Sequence, residues 1–341
     1  MLERITKDTQ IEFKFDKTAL APYFDLVFHE ASLDERIVFF ENLLAVAQRS
    51  LGLAHCIQHD MVSRTALHQG NSQAAKENVL SLGYAGVVGC WSGRKRSDTW
   101  SLNNLTVNGT KRWITNIHNA RYFTGQIMRD GVKYSIYIDL NETDHHIDYD
   151  NFTPMGMQLA NPGDLTINQQ ALTEDNILGV SNTQQFFQQD NLAAYCWNTN
   201  HFGIAKQLFL DLKQYSEKFN CGAEFEIKKL EMDICSLQMQ WEDNLATLGA
   251  TTSSHVFWNK RNTQYSYSKK TLIRVIQLVL ELGVSYWTDA TAEYSQRFRD
   301  AVTYCSHQHP LFRFGQEHHM LNLENSTPND DSYFADNIGQ A

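Results

Sequence analysis

The sequence predicts an α+β chain in three parts. Helices fill 1–87, an antiparallel β domain fills 88–185, a four-helix bundle fills 186–323, and a polar tail runs over 324–341. Two observations carry this. Apolar residues recur at helical spacing before about 88 and after about 186, and at every second position between. The five prolines are Pro22, Pro154, Pro162, Pro310 and Pro328, which leaves 23–153 and 163–309 free of them. Proline stops helices and central strands, so such gaps leave room for long unbroken helices.

The first helical part is read from Arg36-Ile-Val-Phe-Phe-Glu-Asn-Leu-Leu-Ala-Val-Ala, with Gly70 and Gly83 as later punctuation. The β part opens on Thr106-Val-Asn-Gly-Thr-Lys-Arg-Trp-Ile-Thr. Asn108-Gly109 is a strong hairpin signal, because both turn positions need positive φ. Regular alternation then puts Lys111, Trp113 and Thr115 on one face, and Arg112 and Ile114 on the other. Asp130-Gly131 is a second hairpin signal, followed by Val132, Tyr134, Ile136 and Ile138 in alternation.

Three helix stripes follow: Ile204, Leu208, Leu212 and Tyr215; Ile227, Leu230, Ile234, Leu237 and Trp241; and Leu272, Val275, Val279 and Leu282. A fourth helix is expected from Phe298 towards Phe314, broken at Pro310. Together they read as a bundle.

Composition narrows the function classes. There are 341 residues, with 29 basic against 39 acidic side chains and a net charge of −10. That balance argues against nucleic-acid and membrane-surface roles, which need a basic face. No apolar run of about 18 residues is present, so no membrane span is expected. The six cysteines are scattered without a Cys-x-x-Cys, which reads as buried thiols in a reducing compartment, by default the cytoplasm. No nucleophile elbow or P-loop occurs. Gly83, Gly86 and Gly89 lack the spacing and the βαβ unit of a dinucleotide loop. His55 and His59 share a helix face, and His307, His309, His318 and His319 cluster near the end, but no further ligand spacing follows, so no metal is expected.

Val107-Asn-Gly-Thr-Lys-Arg-Trp-Ile-Thr-Asn-Ile-His-Asn-Ala-Arg-Tyr-Phe resembles the middle domain of acyl-CoA dehydrogenases. Ser97-Asp98 is similar to the end of that family's T-E-x-x-x-G-S-D loop. Met155-Gly156, the stretch from Thr173 to Gly179, and Arg299-Asp300-Ala301 match further family motifs. The resemblance spans about 50–322, and the order helices–β–helices agrees with it. The first helices are fewer than the family's.

The resemblance implies a flavin, FAD or FMN, between the β domain and the bundle. Trp113 would pack on its ring, with Thr115 and Asn116 beside it. The family's loop Thr and Glu fall on Trp91 and Ser92, and its loop glycine on Arg96. Arg94, Arg96 and Ser97 would meet the substrate, for which a CoA or pantetheine phosphate is expected. The family's two diphosphate-holding elements become Lys218-Phe219-Asn220-Cys221-Gly222 and Leu280-Glu-Leu-Gly283-Val284, which points towards FMN or a loosely held reduced flavin.

The catalytic position departs most. The family's Glu falls on Gln308, and the alternative Glu of some members falls near Ala193, with Asp190 and Asn191 beside it. His307 instead matches a histidine of the flavin-dependent monooxygenases that share this fold. Three readings follow. The first is a dehydrogenase of acyl thioesters, CoA- or carrier-bound. The second is a two-component monooxygenase or oxidase fed reduced flavin by a partner reductase. The third is a degenerate member kept for binding or assembly. The resemblance also implies a homodimer or homotetramer packed through the bundle.

Overall fold

The computed structural model describes residues 31–81, 87–89, 101–103, 105–117, 120–129, 132–150, 154–160, 162–180, 187–246, 255–287 and 293–306. Its first helix, α1 (Leu33–Arg49), starts where Ser32 and Glu35 cap each other's backbone amides. That exchange satisfies two donors that a helix start leaves open. Ser50 ends α1 and caps α2 (Leu51–Gln69), Gly70 ends α2, and Ser72 caps α3 (Gln73–Ser81) through the Ala75 amide.

Eight strands follow among the described residues: β1 (Val87–Gly89), β2 (Ser101–Asn103), β3 (Thr106–Ile114), β4 (Tyr122–Arg129), β5 (Val132–Asp139), β6 (His145–Asp148), β7 (Gly163–Ala171) and β8 (Ile177–Val180). They form two four-stranded sheets, ordered β1-β4-β5-β8 and β2-β3-β7-β6. All pairings are antiparallel except β1 with β4, which is parallel. Four helices complete the order: α4 (Phe187–Phe219), α5 (Glu224–Ala246), α6 (His255–Trp287) and α7 (Glu293–Cys305).

The β4–β5 register ends by pairing Arg129 with Val132; the expected turn residues Asp130 and Gly131 lie outside the described residues. The other hairpin expectation fails. Asn108-Gly109 lies inside β3, where Asn108 alone faces Asn168 and Gln169 of a bulge in β7, with Gly109 at φ 120°, while β2 joins β3 three residues before Asn108, around Leu105 at φ 58°. The glycine supplies positive φ, but in a paired strand beside a bulge rather than in a turn. Asn108 Oδ1 accepts the Gln169 amide there.

Phe123, Ile127, Ile136 and Ile138 of one sheet close on Val107, Ile114, Leu165 and Ile167 of the other. The first sheet is buried on its second face too. Tyr122, Tyr137 and Leu178 pack there on Ala66 and Leu67 of α2 and Ala75 of α3.

The expected helix stripes all point inward, and they share one core with α1 and α2: Phe39, Phe40 and Leu43 are buried in the same cluster as Leu208, Leu230, Leu272 and Phe298. The last helix starts at Glu293, five residues before the expected Phe298, and runs to Cys305. No helix among the described residues is long and apolar enough to cross a membrane.

α1 and α4 approach closely at Gly203, where an added Cβ would stand 2.7 Å from Ala47 Cβ. Gly to Ala in an open helix stabilises by about 1 kcal/mol. Here Gly203→Ala is expected to cost about 1–3 kcal/mol by overpacking. A lower urea midpoint bears this out; a raised one shows that α1 gives way.

Candidate functional site

The site begins at the bulge of β3. Lys111 pairs with Leu165 of β7 and Ile114 with Gly163, so two residues, Arg112 and Trp113, stand against Asp164 alone. Such a mismatch leaves an amide without its ladder partner. Asp164, itself buried, replaces that partner: its Oδ1 accepts the Trp113 amide at 2.9 Å. Arg112 Nε lies 3.6 Å from the other carboxylate oxygen.

The bulge holds Trp113 at φ 57°. For a bulky side chain that is the left-handed region, costing roughly 1–2 kcal/mol. Strain of this kind collects at functional sites. The bulge also cancels the expected alternation. Lys111 and Ile114 are both buried, while Arg112 and Trp113 both face out, Trp113 at 38% exposure. Thr115 and Asn116 then turn inward and are buried. Asn116 also has positive φ, 57°, and its amide bonds Ala160 O at 2.7 Å.

Ala160 closes a segment, 154–160, that touches three elements. Gly52 of α2 approaches so closely that a Cβ there would lie 3.1 Å from the Ala160 nitrogen. Cys56 Sγ is 3.8 Å from Leu159 O. At its other end the segment meets α7. The Gly156 amide donates to Thr303 Oγ1 at 3.0 Å, and the Met157 amide to Asp300 Oδ1 at 2.6 Å. A Cβ on Gly156 would fall 2.2 Å from Arg299 O, which only glycine avoids.

Asp300 is buried, and Gln296 Nε2 donates to the same oxygen at 2.7 Å. Burial raises its carboxyl pKa to about 6, against the opposing pull of these hydrogen bonds and of Arg299. One helical turn on, the Tyr304 hydroxyl lies 3.4 Å from both Gln58 Oε1 and Asn200 Nδ2, and burial holds its pKa well above the ordinary phenol. The Tyr304 ring stacks on Trp197, 5.0 Å between centroids. His55 meets both rings edge-on at 5.4 Å and His59 at 4.4 Å. The two histidines do share a face of α2, but it is an aromatic one. No group of three metal-ligating side chains occurs among the described residues.

Of the sequence-predicted residues, the structure brings Trp113, Thr115 and Asn116 together at one corner. Trp91, Ser92, Arg94, Arg96, Ser97, His307 and Gln308 lie outside the described residues. Asp190 and Asn191 fall in α4, with Ala193 half-buried beyond them. The expected diphosphate elements form the end of α4, where Asn220 and Gly222 have positive φ, and a kink in α6 at Gly283. Gly283 admits the Tyr215 hydroxyl, 2.7 Å from where a Cβ would be.

Sequence reasoning missed Asp164, which sits in no motif, and the partners of Asp300. For Asp300 a signal existed: Met-Gly and Arg-Asp-Ala were both noted, and they dock on each other.

The sequence matches no protein-family model and no curated protein. Solved structures do match. Butyryl-CoA dehydrogenase from Megasphaera elsdenii aligns with TM-score 0.70 at 14% identity, over 86% of each chain. The HsaA monooxygenase from M. tuberculosis aligns with TM-score 0.68 at 14% identity, also over 86% of each. The 3-HSA hydroxylase from Rhodococcus sp. RHA1 gives 0.70 at 13%, over the same shares. The chain therefore has the acyl-CoA dehydrogenase-like fold, which these dehydrogenases and monooxygenases share.

A carboxyl whose folded pKa lies above its unfolded value binds its proton more tightly when folded. Its contribution to stability is present below about pH 4 and is lost as pH rises towards about 6. Asp300→Asn keeps the acceptor oxygen and removes that loss. At pH 7.5 the variant is expected to be more stable than the parent by up to about 3 kcal/mol, with the gap closing by pH 4. Urea titrations at both pH values decide this; a gap independent of pH overturns it.

Proposed function

We propose that the protein is a flavin-dependent oxidoreductase whose ring site is the corner formed by Trp113, Thr115 and Asn116. The observation that carries this is the bulge. A strained, outward-facing tryptophan beside a buried threonine is what a flat aromatic cofactor needs, and plain strand packing does not call for it. The fold shared with dehydrogenases and monooxygenases supports the same reading.

The residues fit a flavin unequally along its length. At the ring end, the Trp113 indole offers a face to stack on and the Thr115 hydroxyl a donor. At the expected diphosphate end, Phe219 and Leu280 are exposed and apolar, and Lys218 Nζ stands 5.2 Å over the Phe219 ring. Those side chains offer few donors to a diphosphate, so FMN or a transiently held reduced flavin suits the chain better than tightly held FAD. A bound flavin supplies two-electron chemistry: hydride acceptance when oxidised, oxygen activation when reduced.

The first reading is oxidation of an acyl thioester, CoA- or carrier-bound, between Cα and Cβ. An α-proton must then pass to a base. Gln308 stands where the family has Glu, and an amide does not accept that proton. His307, its neighbour, is the base in this reading, since an imidazole suits proton transfer near neutral pH. Arg94, Arg96 and Ser97 would bind the phosphate end of the substrate. An electron acceptor completes the turnover.

The second reading, a two-component monooxygenase or oxidase, is favoured by the same His307 and by the apolar diphosphate end. A flavin delivered already reduced by a partner reductase needs less holding. His307 would then serve the substrate's proton.

Purified protein, titrated with FAD and with FMN in oxidised and reduced form, tests the proposal through the flavin absorbance and fluorescence. Saturable binding is expected, and Trp113→Ala should weaken it by about 2- to 10-fold, the worth of a lost aromatic stack. A protein that holds neither flavin, oxidised or reduced, leaves only a binding or assembly role. Anaerobic bleaching by an acyl thioester selects the first reading, and Gln308→Glu should raise its rate at least 10-fold if a carboxylate base is limiting. Product formed only with externally reduced flavin and oxygen selects the second.

A further inference from the structure

Asp164 belongs to none of the sequence motifs, and its place in the sheet is unusual. In β7, Leu165 and Ile167 point into the core between the sheets. Alternation therefore puts Asp164 and Thr166 on the opposite face. Thr166 is half-buried there, and its hydroxyl bonds that of Thr110 on β3 at 2.8 Å. Asp164 is only 3% exposed. It is paired with Asp148 of β6 on one side and stands against the bulge of Arg112 and Trp113 on the other. Two carboxylates directly across a strand pair disfavour one another. The stability of the sheet alone would select a different residue at 164.

The bulge gives this carboxylate its use. The Trp113 amide donates to Oδ1 at 2.9 Å, and the Arg112 guanidinium stands 3.6 Å from Oδ2. A hydrogen bond to an ionised acceptor is stronger than a neutral one, and taking the acceptor away would leave the amide unmet. Something must favour the bulge, because Trp113 at φ 57° is in a region that bulky residues avoid. Without the bulge, alternation would turn Trp113 to the side of Lys111, which is buried.

We infer that Asp164 is the positioning residue of the ring site: it locks the bulge and so turns the Trp113 indole outward. This rests on the ring site proposed above, and it makes Asp164 act on the cofactor only through Trp113. Asp164→Asn keeps an acceptor oxygen for the amide, and Asp164→Ala has none.

Full-length protein labelled with fluorotryptophan tests this by fluorine NMR. A Trp113→Phe variant assigns the Trp113 resonance among the seven tryptophans, and its shift between H2O and D2O reports exposure. In Asp164→Ala the resonance should move and lose most of that solvent shift as the indole turns inward. In Asp164→Asn it should stay near the parent's. Titration with FMN, oxidised and reduced, is the second readout. Asp164→Ala should weaken binding by about 2- to 10-fold, as loss of the stack itself does, with no further loss in a Trp113→Ala background. Asp164→Asn should restore most of it. Should Asp164→Ala not fold, hydrogen exchange in the unmodified chain decides, where the Trp113 amide should exchange far more slowly than exposed amides.

A Trp113 resonance unchanged in Asp164→Ala overturns the inference. So does a Trp113 amide that exchanges as fast as an exposed one, or an Asp164→Ala loss of FMN as large without Trp113 as with it. A parent that binds no flavin sinks the ring site instead, and the fluorine resonance alone then judges the hold of Asp164 on Trp113.

Discussion

The contact on which the rest of this structure depends is the Met157 amide on the buried carboxylate of Asp300. It ties the connection between β6 and β7 to the last helix across 143 residues of sequence. The neighbouring Gly156 allows backbone to lie against backbone at Arg299. From there the same segment reaches α2 through Gly52 and the end of β3 through Ala160 and Asn116. A site assembled from β3 and the helices keeps its shape only while this junction holds. Its carboxylate is desolvated, so the junction is maintained at some electrostatic cost near neutral pH.

A second constraint acts locally. Trp113 occupies a backbone region that a bulky residue avoids, and a buried carboxylate, Asp164, accepts its amide. The strain is small beside the packing around it: Ile114 on one side and Leu165 opposite are fully buried. The surroundings therefore impose the conformation. In the proposed reading, an indole held this way would need no reorganisation to stack on a flat ring, which is how strain and preorganisation belong together.

The helical parts were legible in the sequence because a helix stripe averages over many residues. Ile227 to Trp241 repeats its spacing four times, and one anomaly would not hide it. Strand reasoning is less forgiving. A single inserted residue reverses every later inside–outside assignment, so the bulge at Arg112-Trp113 undid the expected alternation. Asn108-Gly109 misled for a related reason: positive φ serves a turn and a strand beside a bulge equally, and only pairing with β7 distinguishes them. The candidate site was half legible. A motif marked Trp113, Thr115 and Asn116, while Asp164 lay unmarked at the start of another strand.

By itself the sequence determined the order helices, sheets, helices, the inward faces of α4, α5 and α6, and the stretch on which a flavin ring is proposed to lie. These are local properties, set by the period of apolar residues and by short motifs. Only the tertiary structure decided that α1 and α2 share a core with the bundle, that one strand pair is parallel, and that Met-Gly docks on Arg-Asp-Ala. It also decided which apolar residues of α5 are left outside. Such facts depend on which distant surfaces meet, and no local period records that choice.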